Sequence, residues 1–201
     1  MVAADIENYY LFVDPGMSSG RDPTATTEFL RETLFSGDDD HDLLTFTSFL
    51  FTHNSSVGIL VYGLGFVLGA PVVLMLLYNG MMLGAMSALF VGRGLGVEWW
   101  SWVAPHGVVE LTAIVLCGAA GLAIAHRVVF PGRQSRLSAL AEAGRRMGGV
   151  VAGSVLMLLL AALIEGIFRQ VVTHVPTRYT MAGLLAVLWS LYFCLGGRRA
   201  R

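Results

Sequence analysis

The chain predicts an all-α, polytopic helical membrane protein with about five membrane segments and a small extracytoplasmic helical region at its N-terminus. Three observations carry this. Apolar residues make up 55% of the 201 positions against 13% charged, and mean hydropathy is +0.67, a balance foreign to soluble domains. The apolar residues gather into runs near the roughly 20 residues that cross about 30 Å of hydrocarbon. Charge is also sorted along the chain. Ten of the fourteen acidic residues lie within positions 1–56, opposed there only by Arg21 and Arg31, whereas the remainder carries eleven arginines against four glutamates.

Residues 1–56 read as an acidic helical region. Turn chemistry marks Asp14-Pro15-Gly16, Ser18-Ser19-Gly20 and Ser36-Gly37-Asp38, each pairing a helix-capping residue with proline or glycine. Between them Thr27 to Phe35 has helical periodicity, with Thr26 or Thr27 as its cap and Phe29, Leu30, Leu34 and Phe35 along one side. Leu43 to Phe51 predicts a second helix lying along the membrane interface.

A transmembrane bundle at 57–195 follows, with segments at 57–77, 80–97, 103–125, 148–168 and 181–195. The second and fifth are short. The second also holds Gly80, Gly84, Gly92, Gly94 and Gly96, which suits a tilted, broken or re-entrant segment. Asn79-Gly80 is expected to supply the tight turn between the first two spans, because both residues tolerate left-handed backbone; the functional alternative is a cavity lined by the Asn79 amide. Gly65 with Gly69, Gly80 with Gly84 and Gly149 with Gly153 are spaced for close helix packing, whether within one chain or in a homo-oligomer.

Orientation follows from the arginines, since short loops rich in positive charge stay cytoplasmic. The loop 126–147 contains Arg127, Arg133, Arg136, Arg145 and Arg146, and the tail 196–201 contains Arg198, Arg199 and Arg201. Both are expected inside, which places the acidic N-terminal region outside the cytoplasmic membrane. Ser135 to Met147 predicts an interfacial helix, and Trp99, Trp100 and Trp102 predict an aromatic belt at the outer interface.

The candidate site opens the third segment. Pro105 suits the first turn of a helix, and His106 and Glu110 follow one turn apart on a shared face beside Gly107. Intramembrane ionisable groups are functional by default, and Glu165 with Arg169 forms a second pair at ion-pair spacing. The topology brings the ends carrying His106, Glu110, Glu165, Arg169, His53 and Asn54 to the same side, predicting one polar intramembrane cluster; the helix-break group is Asn79, Gly80 and Gly84. The spacing His-x-x-x-Glu lacks the paired ligands of a zincin helix, so no metal or other cofactor is assigned and polar contacts between helices are the preferred reading.

No phosphate-cradling loop, nucleophile elbow or metalloprotease signature is present in the sequence. An enzyme is therefore not expected, an intramembrane hydrolase being the residual alternative. The arginine-rich loop has no aromatic platform between its charges, which argues against nucleic acid and for lipid headgroups. Cys117 and Cys194 lie inside apolar segments and read as small packing residues.

The ordered set Thr52-His53-Asn54, Asn79-Gly80 with Gly84, Pro105-His106-Gly107 with Glu110-Leu111, Gly121-Leu122 and Ile164-Glu165-Gly166 resembles the stage II sporulation protein M family from about Phe29 onward. The resemblance implies a polytopic membrane protein whose sporulating members act with peptidoglycan-degrading partners during engulfment. It also implies a membrane helix upstream of the extracytoplasmic segment, which nothing here matches, so an N-terminally short chain is expected. The functional expectation is a membrane scaffold that holds extracytoplasmic cell-envelope proteins; the alternative is a transporter or channel for a small ion or solute using the His/Glu cluster.

Overall fold

The structure, a computed structural model, describes residues 6–35 and 43–196. The expected turn at Ser36-Gly37-Asp38 and the tail arginines Arg198, Arg199 and Arg201 lie outside the described residues. The described residues contain helices and no strand.

The N-terminal region forms a small cap. A 3₁₀ turn at Ile6–Tyr9 leads to α1 (Pro15–Ser18), started by Asp14, whose carboxylate accepts the Gly16 amide proton at 2.7 Å. Ser19 and Gly20 then reverse the chain with φ of 50° and 76°, as the Ser-Gly pair predicts. Helix α2 (Thr27–Phe35) is capped by the Thr26 hydroxyl, which accepts from the Phe29 amide at 3.2 Å. Leu30 and Leu34 are its buried residues, while Phe29 stays exposed. Burial of such a leucine contributes about 1.5–3 kcal/mol.

Helix α3 (Leu43–Gly63) is continuous. The separate interfacial helix expected at 43–51 is therefore the first half of a single 21-residue helix, because no breaker interrupts the run from Leu43 into Gly58. The turn into α4 (Ala70–Gly92) falls at 64–69, not at Asn79-Gly80. Leu68 and Gly69 take φ of 57° and 84°, and Pro71 sits in the first turn of α4, where its missing N–H costs nothing. Asn79, Gly80 and Gly84 are interior to α4, and the Asn79 amide donates to the Met75 carbonyl at 2.8 Å. An amide that returns to its own helix ladder gives the backbone no reason to leave it. Neither the expected turn nor an unwound second span survives.

Among the described residues, four helices are long and apolar enough to cross a membrane: α4, α5 (Gly96–Val129), α6 with its continuation (Arg136–Phe168) and α8 (Val175–Gly196). The expected segment 57–77 is divided between the end of α3, the 64–66 turn and the start of α4. Helix α3 packs on α5 and α6 along its length but is richer in hydroxyl residues, from Thr45 to Ser56.

Helix α5 is the centre of the bundle, touching α3, α4, α6 and α8. At about 1.5 Å per residue its 34 residues reach roughly 51 Å, well beyond a hydrocarbon layer of about 30 Å. The excess is used at its N-terminal end. Trp99 and Trp102 are 2% and 8% exposed and pack with Tyr9, Val13, Leu30, Leu34 and Phe90. The aromatic belt expected of Trp99, Trp100 and Trp102 thus reduces to Trp100; the other two are the floor on which the cap sits. The same extension puts Pro105 inside the helix and not in its first turn.

Helix α6 (Arg136–Leu163) absorbs the expected interfacial helix at 135–147, with the Ser135 hydroxyl capping it by accepting the Ser138 amide proton at 3.2 Å. The backbone then widens into a π segment at Ile164–Phe168 and closes with α7 (Arg169–Val171).

The helices alternate between two poles. The cap lies at the pole formed by the start of α5, the end of α4 and the start of α8, where Arg93 donates to the Pro23 carbonyl at 2.7 Å and Arg178 to the Leu34 carbonyl at 3.1 Å. At the opposite pole the 64–69 turn meets the far ends of α5 and α6: Gly65 is pressed on the Gly121 carbonyl, and the Tyr62 hydroxyl donates to the Gly144 carbonyl at 2.9 Å. Arg127 and Arg146 line a cleft there with Glu142. Of the three small-residue pairs, only Gly65 and Gly69 meet another helix; a Cβ at Gly80, Gly84, Gly149 or Gly153 would enter open space.

Candidate functional site

Beneath the cap, α5 and the π segment bring the predicted ionisable residues together. His106 is 7% exposed and Glu165 8% exposed. Nε2 of His106 lies 3.8 Å from Oε2 of Glu165, and the other oxygen, Oε1, faces the Arg169 guanidinium at 3.6 Å. Glu110 joins them: one donor atom from each of His106, Glu110 and Glu165 can be chosen so that all three lie within 4.8 Å of one another. His106 and Glu110 are one turn apart on α5, and the imidazole faces Glu165 across helices.

Local structure explains the convergence. A π turn widens the helix and re-aims its side chains. Here it carries Glu165 inward, and Gly166 within it admits Thr47 of α3, whose side chain would collide with any Cβ at that position. Arg169 is held over the Trp102 ring at 4.5 Å and the Phe46 ring at 5.3 Å. These aromatic faces attract a guanidinium and fix its position. Trp102 in turn meets His106 edge-on, with centroids 5.8 Å apart.

The imidazole is poorly satisfied. Its Nδ1 is buried with no hydrogen-bond partner, and the Nε2 separation of 3.8 Å exceeds hydrogen-bond range. Glu110 makes no hydrogen bond or ion pair among the described residues. Such polar groups are rare in a low-dielectric interior because each forfeits its hydration.

A cavity of about 230 Å³ lies between α4 and α5 at this level, with His106, Glu110, Asn79, Met82, Met86 and Trp102 among its walls and Val13 of the cap closing one side. Asn79 therefore lines a cavity, as the alternative reading anticipated, but from an intact helix. It lies about 14 Å along α4 from the start of that helix at the pole opposite the cap.

Two predicted members stay apart. His53 is exposed and stacks on Phe49 at 5.9 Å. It occupies the outer side of α3, opposite the face that Thr47 and Gly58 bury. Asn54 is on the inward side, one turn before Gly58, which packs on Cys117 and Ile114; no hydrogen bond ties it to the cluster among the described residues. Gly107 follows His106 on α5 and also lines the cavity.

Arg178 is the residue the sequence reading missed. It is 1% exposed, and its guanidinium donates to the carbonyls of Val172 at 2.6 Å, Arg169 at 3.0 Å and Leu34 at 3.1 Å, lying 5.4 Å from the Phe35 ring. One side chain thereby ties α2, α7 and α8 together. Its local signal is weak: an arginine two residues after Pro176 in the first turn of α8, a place where a cation opposes the helix dipole.

Tyr9 locks the cap from the other side. Its hydroxyl donates to the Arg21 carbonyl at 2.6 Å, with Met86 Sδ 2.8 Å away. Burial pushes the phenol up to about 12, so it remains a neutral donor.

The family model for stage II sporulation protein M matches residues 10–168, which include His106, Glu110 and Glu165 and exclude Arg178 and α8. No curated protein and no solved structure matches the chain.

Proposed function

Since the chain belongs to the stage II sporulation protein M family, we propose that it is an integral membrane scaffold of the cell envelope, without chemistry of its own, which presents its cap to peptidoglycan-remodelling partners. The observation that carries this reading is the way the cap is fastened. Residues 6–35 share a core with α4 and α5 through Tyr9, Leu30, Phe90 and Trp99, and Arg178 bonds the end of α2 to α8. A rigidly mounted cap transmits force and position from the bundle to whatever it holds. It also exposes Tyr10, Leu11 and Phe29 at 41%, 67% and 41%, apolar side chains of the kind that anchor interfaces.

The charge distribution supports an outward-facing cap. Arg127, Arg133, Arg136, Arg145 and Arg146 belong to the opposite pole, in and around the short connection between α5 and α6, and arginines in short connections remain cytoplasmic. The C-terminus then lies inside.

Photocrosslinking from Leu11 and Phe29 in native membranes tests the proposal. The expected products are envelope proteins of the peptidoglycan-remodelling class, absent when the crosslinker is placed at Leu137 near the opposite pole. Crosslinks to lipid alone from both cap positions would overturn it. Labelling of a Leu11→Cys variant by an impermeant thiol reagent in intact cells is expected if the cap faces outward, and protection from the reagent would reverse the orientation.

A further inference from the structure

We propose that His106, Glu110 and Glu165 form a binding site for a divalent transition-metal cation of the zinc or manganese kind, buried between α5 and the π segment. Three independent features converge on it. The first is geometric, because one donor from each side chain can be chosen so that all three lie within 4.8 Å of one another. A metal with bonds near 2.0–2.2 Å holds its ligands somewhat closer than this. The two glutamate side chains have the rotatable bonds through which such a distance closes.

The second is the charge balance. Glu110 and Glu165 lie together, and the Arg169 guanidinium pairs with Glu165 at its Oε1 atom, 3.6 Å away. The Oε2 atom is turned to His106 at 3.8 Å, so the three candidate donors gather at the carboxylate oxygen that does not face Arg169 at 3.6 Å. A cation there supplies the positive charge that two neighbouring carboxylates need if both are to be ionised.

The third is the imidazole itself, which is more than nine-tenths buried, with Nδ1 lacking a hydrogen-bond partner among the described residues and Nε2 3.8 Å from Glu165. A neutral imidazole is a ligand for zinc, copper, iron or nickel, while carboxylates suit manganese as well; one His with two Glu therefore favours zinc or manganese over calcium or magnesium. Three protein ligands leave a further coordination position. The adjoining cavity, which Asn79 also lines, has room for a water there. Arg169, ion-paired with the far oxygen of Glu165 at 3.6 Å and held over Trp102, orients that ligand from outside the coordination sphere.

The test uses the full chain in detergent. After purification without chelator and extensive dialysis, elemental analysis is expected to find zinc or manganese at near one ion per chain. Stripping with EDTA is expected to lower the Tm and re-addition of Zn²⁺ or Mn²⁺ to restore it, since a ligand that binds only the folded state stabilises it. Co²⁺ substitution is expected to produce visible d–d absorption. Glu110→Gln keeps the side-chain shape and removes the charge; it is expected to abolish retained metal and the absorption, while Glu98→Gln, near the bundle surface, keeps both. The proposal is overturned if the wild-type chain holds no metal and shows no metal-dependent Tm, or if Glu110→Gln retains metal and spectrum unchanged.

Discussion

Replacing Arg178 by methionine is the sharpest test of how the cap is held. Methionine retains much of the side-chain volume and removes the guanidinium, so the change isolates its hydrogen bonds. Three carbonyl acceptors lose their donor: Leu34 in a buried setting, and Val172 and Arg169 in partly buried ones. A hydrogen bond from a charged donor contributes about 1.5–3 kcal/mol, and a buried acceptor left alone costs about 1–3 kcal/mol. Summing the contacts overstates the loss, because removing a buried cation also removes its desolvation cost and its repulsion with Arg169. The net expectation is about 3 kcal/mol, or roughly 6–12 °C in Tm for a chain of this size.

The loss should also be local. Hydrogen exchange read by mass spectrometry is expected to show faster exchange in α2 and around 169–175, with little change in the α5 and α6 centre. Arg178→Lys should recover only part of the stability, since a single ammonium cannot span three divergent carbonyls. Unchanged α2 protection together with an unchanged Tm in Arg178→Met would refute the assignment of Arg178 as the tie between cap and bundle.

Three further expectations follow from other contacts. Gly65→Ala should destabilise by about 1–3 kcal/mol in thermal unfolding, because the new Cβ meets the Gly121 carbonyl backbone, which cannot rotate away; Gly80→Ala, in open space within α4, should instead stabilise by up to about 1 kcal/mol. For Tyr9, the folded value near 12 exceeds the ordinary 10, so the contribution of the neutral phenol is present below pH 10 and is lost as pH rises through 12. The loss reaches about 3 kcal/mol, and Tyr9→Phe should flatten stability between pH 10 and 12 in pH-dependent melts.

The candidate site was legible residue by residue, less so as an arrangement. His106, Glu110, Glu165 and Arg169 stand out because ionisable groups in apolar runs are expensive, and Glu165 and Arg169 pair at the spacing expected. His53 looked equivalent on paper but points away from the cluster, since helical phase around α3 is set by which side carries Thr47 and Gly58. Arg178 was illegible because its partners are backbone carbonyls, two of them six and nine residues away and the third 144 residues away. Carbonyls carry no side-chain signature.

The sequence by itself determined the solvent of this protein, its helical class, the sorting of acid and arginine, and a threonine cap for α2 at Thr26 or Thr27. Those properties follow from composition and from interactions within a turn or two of chain. Only the tertiary structure decided that the chain turns at Leu68-Gly69 and not at Asn79-Gly80, that Trp99 and Trp102 support a cap, and that Glu165 reaches His106. Each of those outcomes depends on a contact between distant segments. An Asn-Gly pair turns only when its helix gains nothing by continuing, and here the Asn79 amide serves its own helix while α5 supplies a surface for the helix to follow.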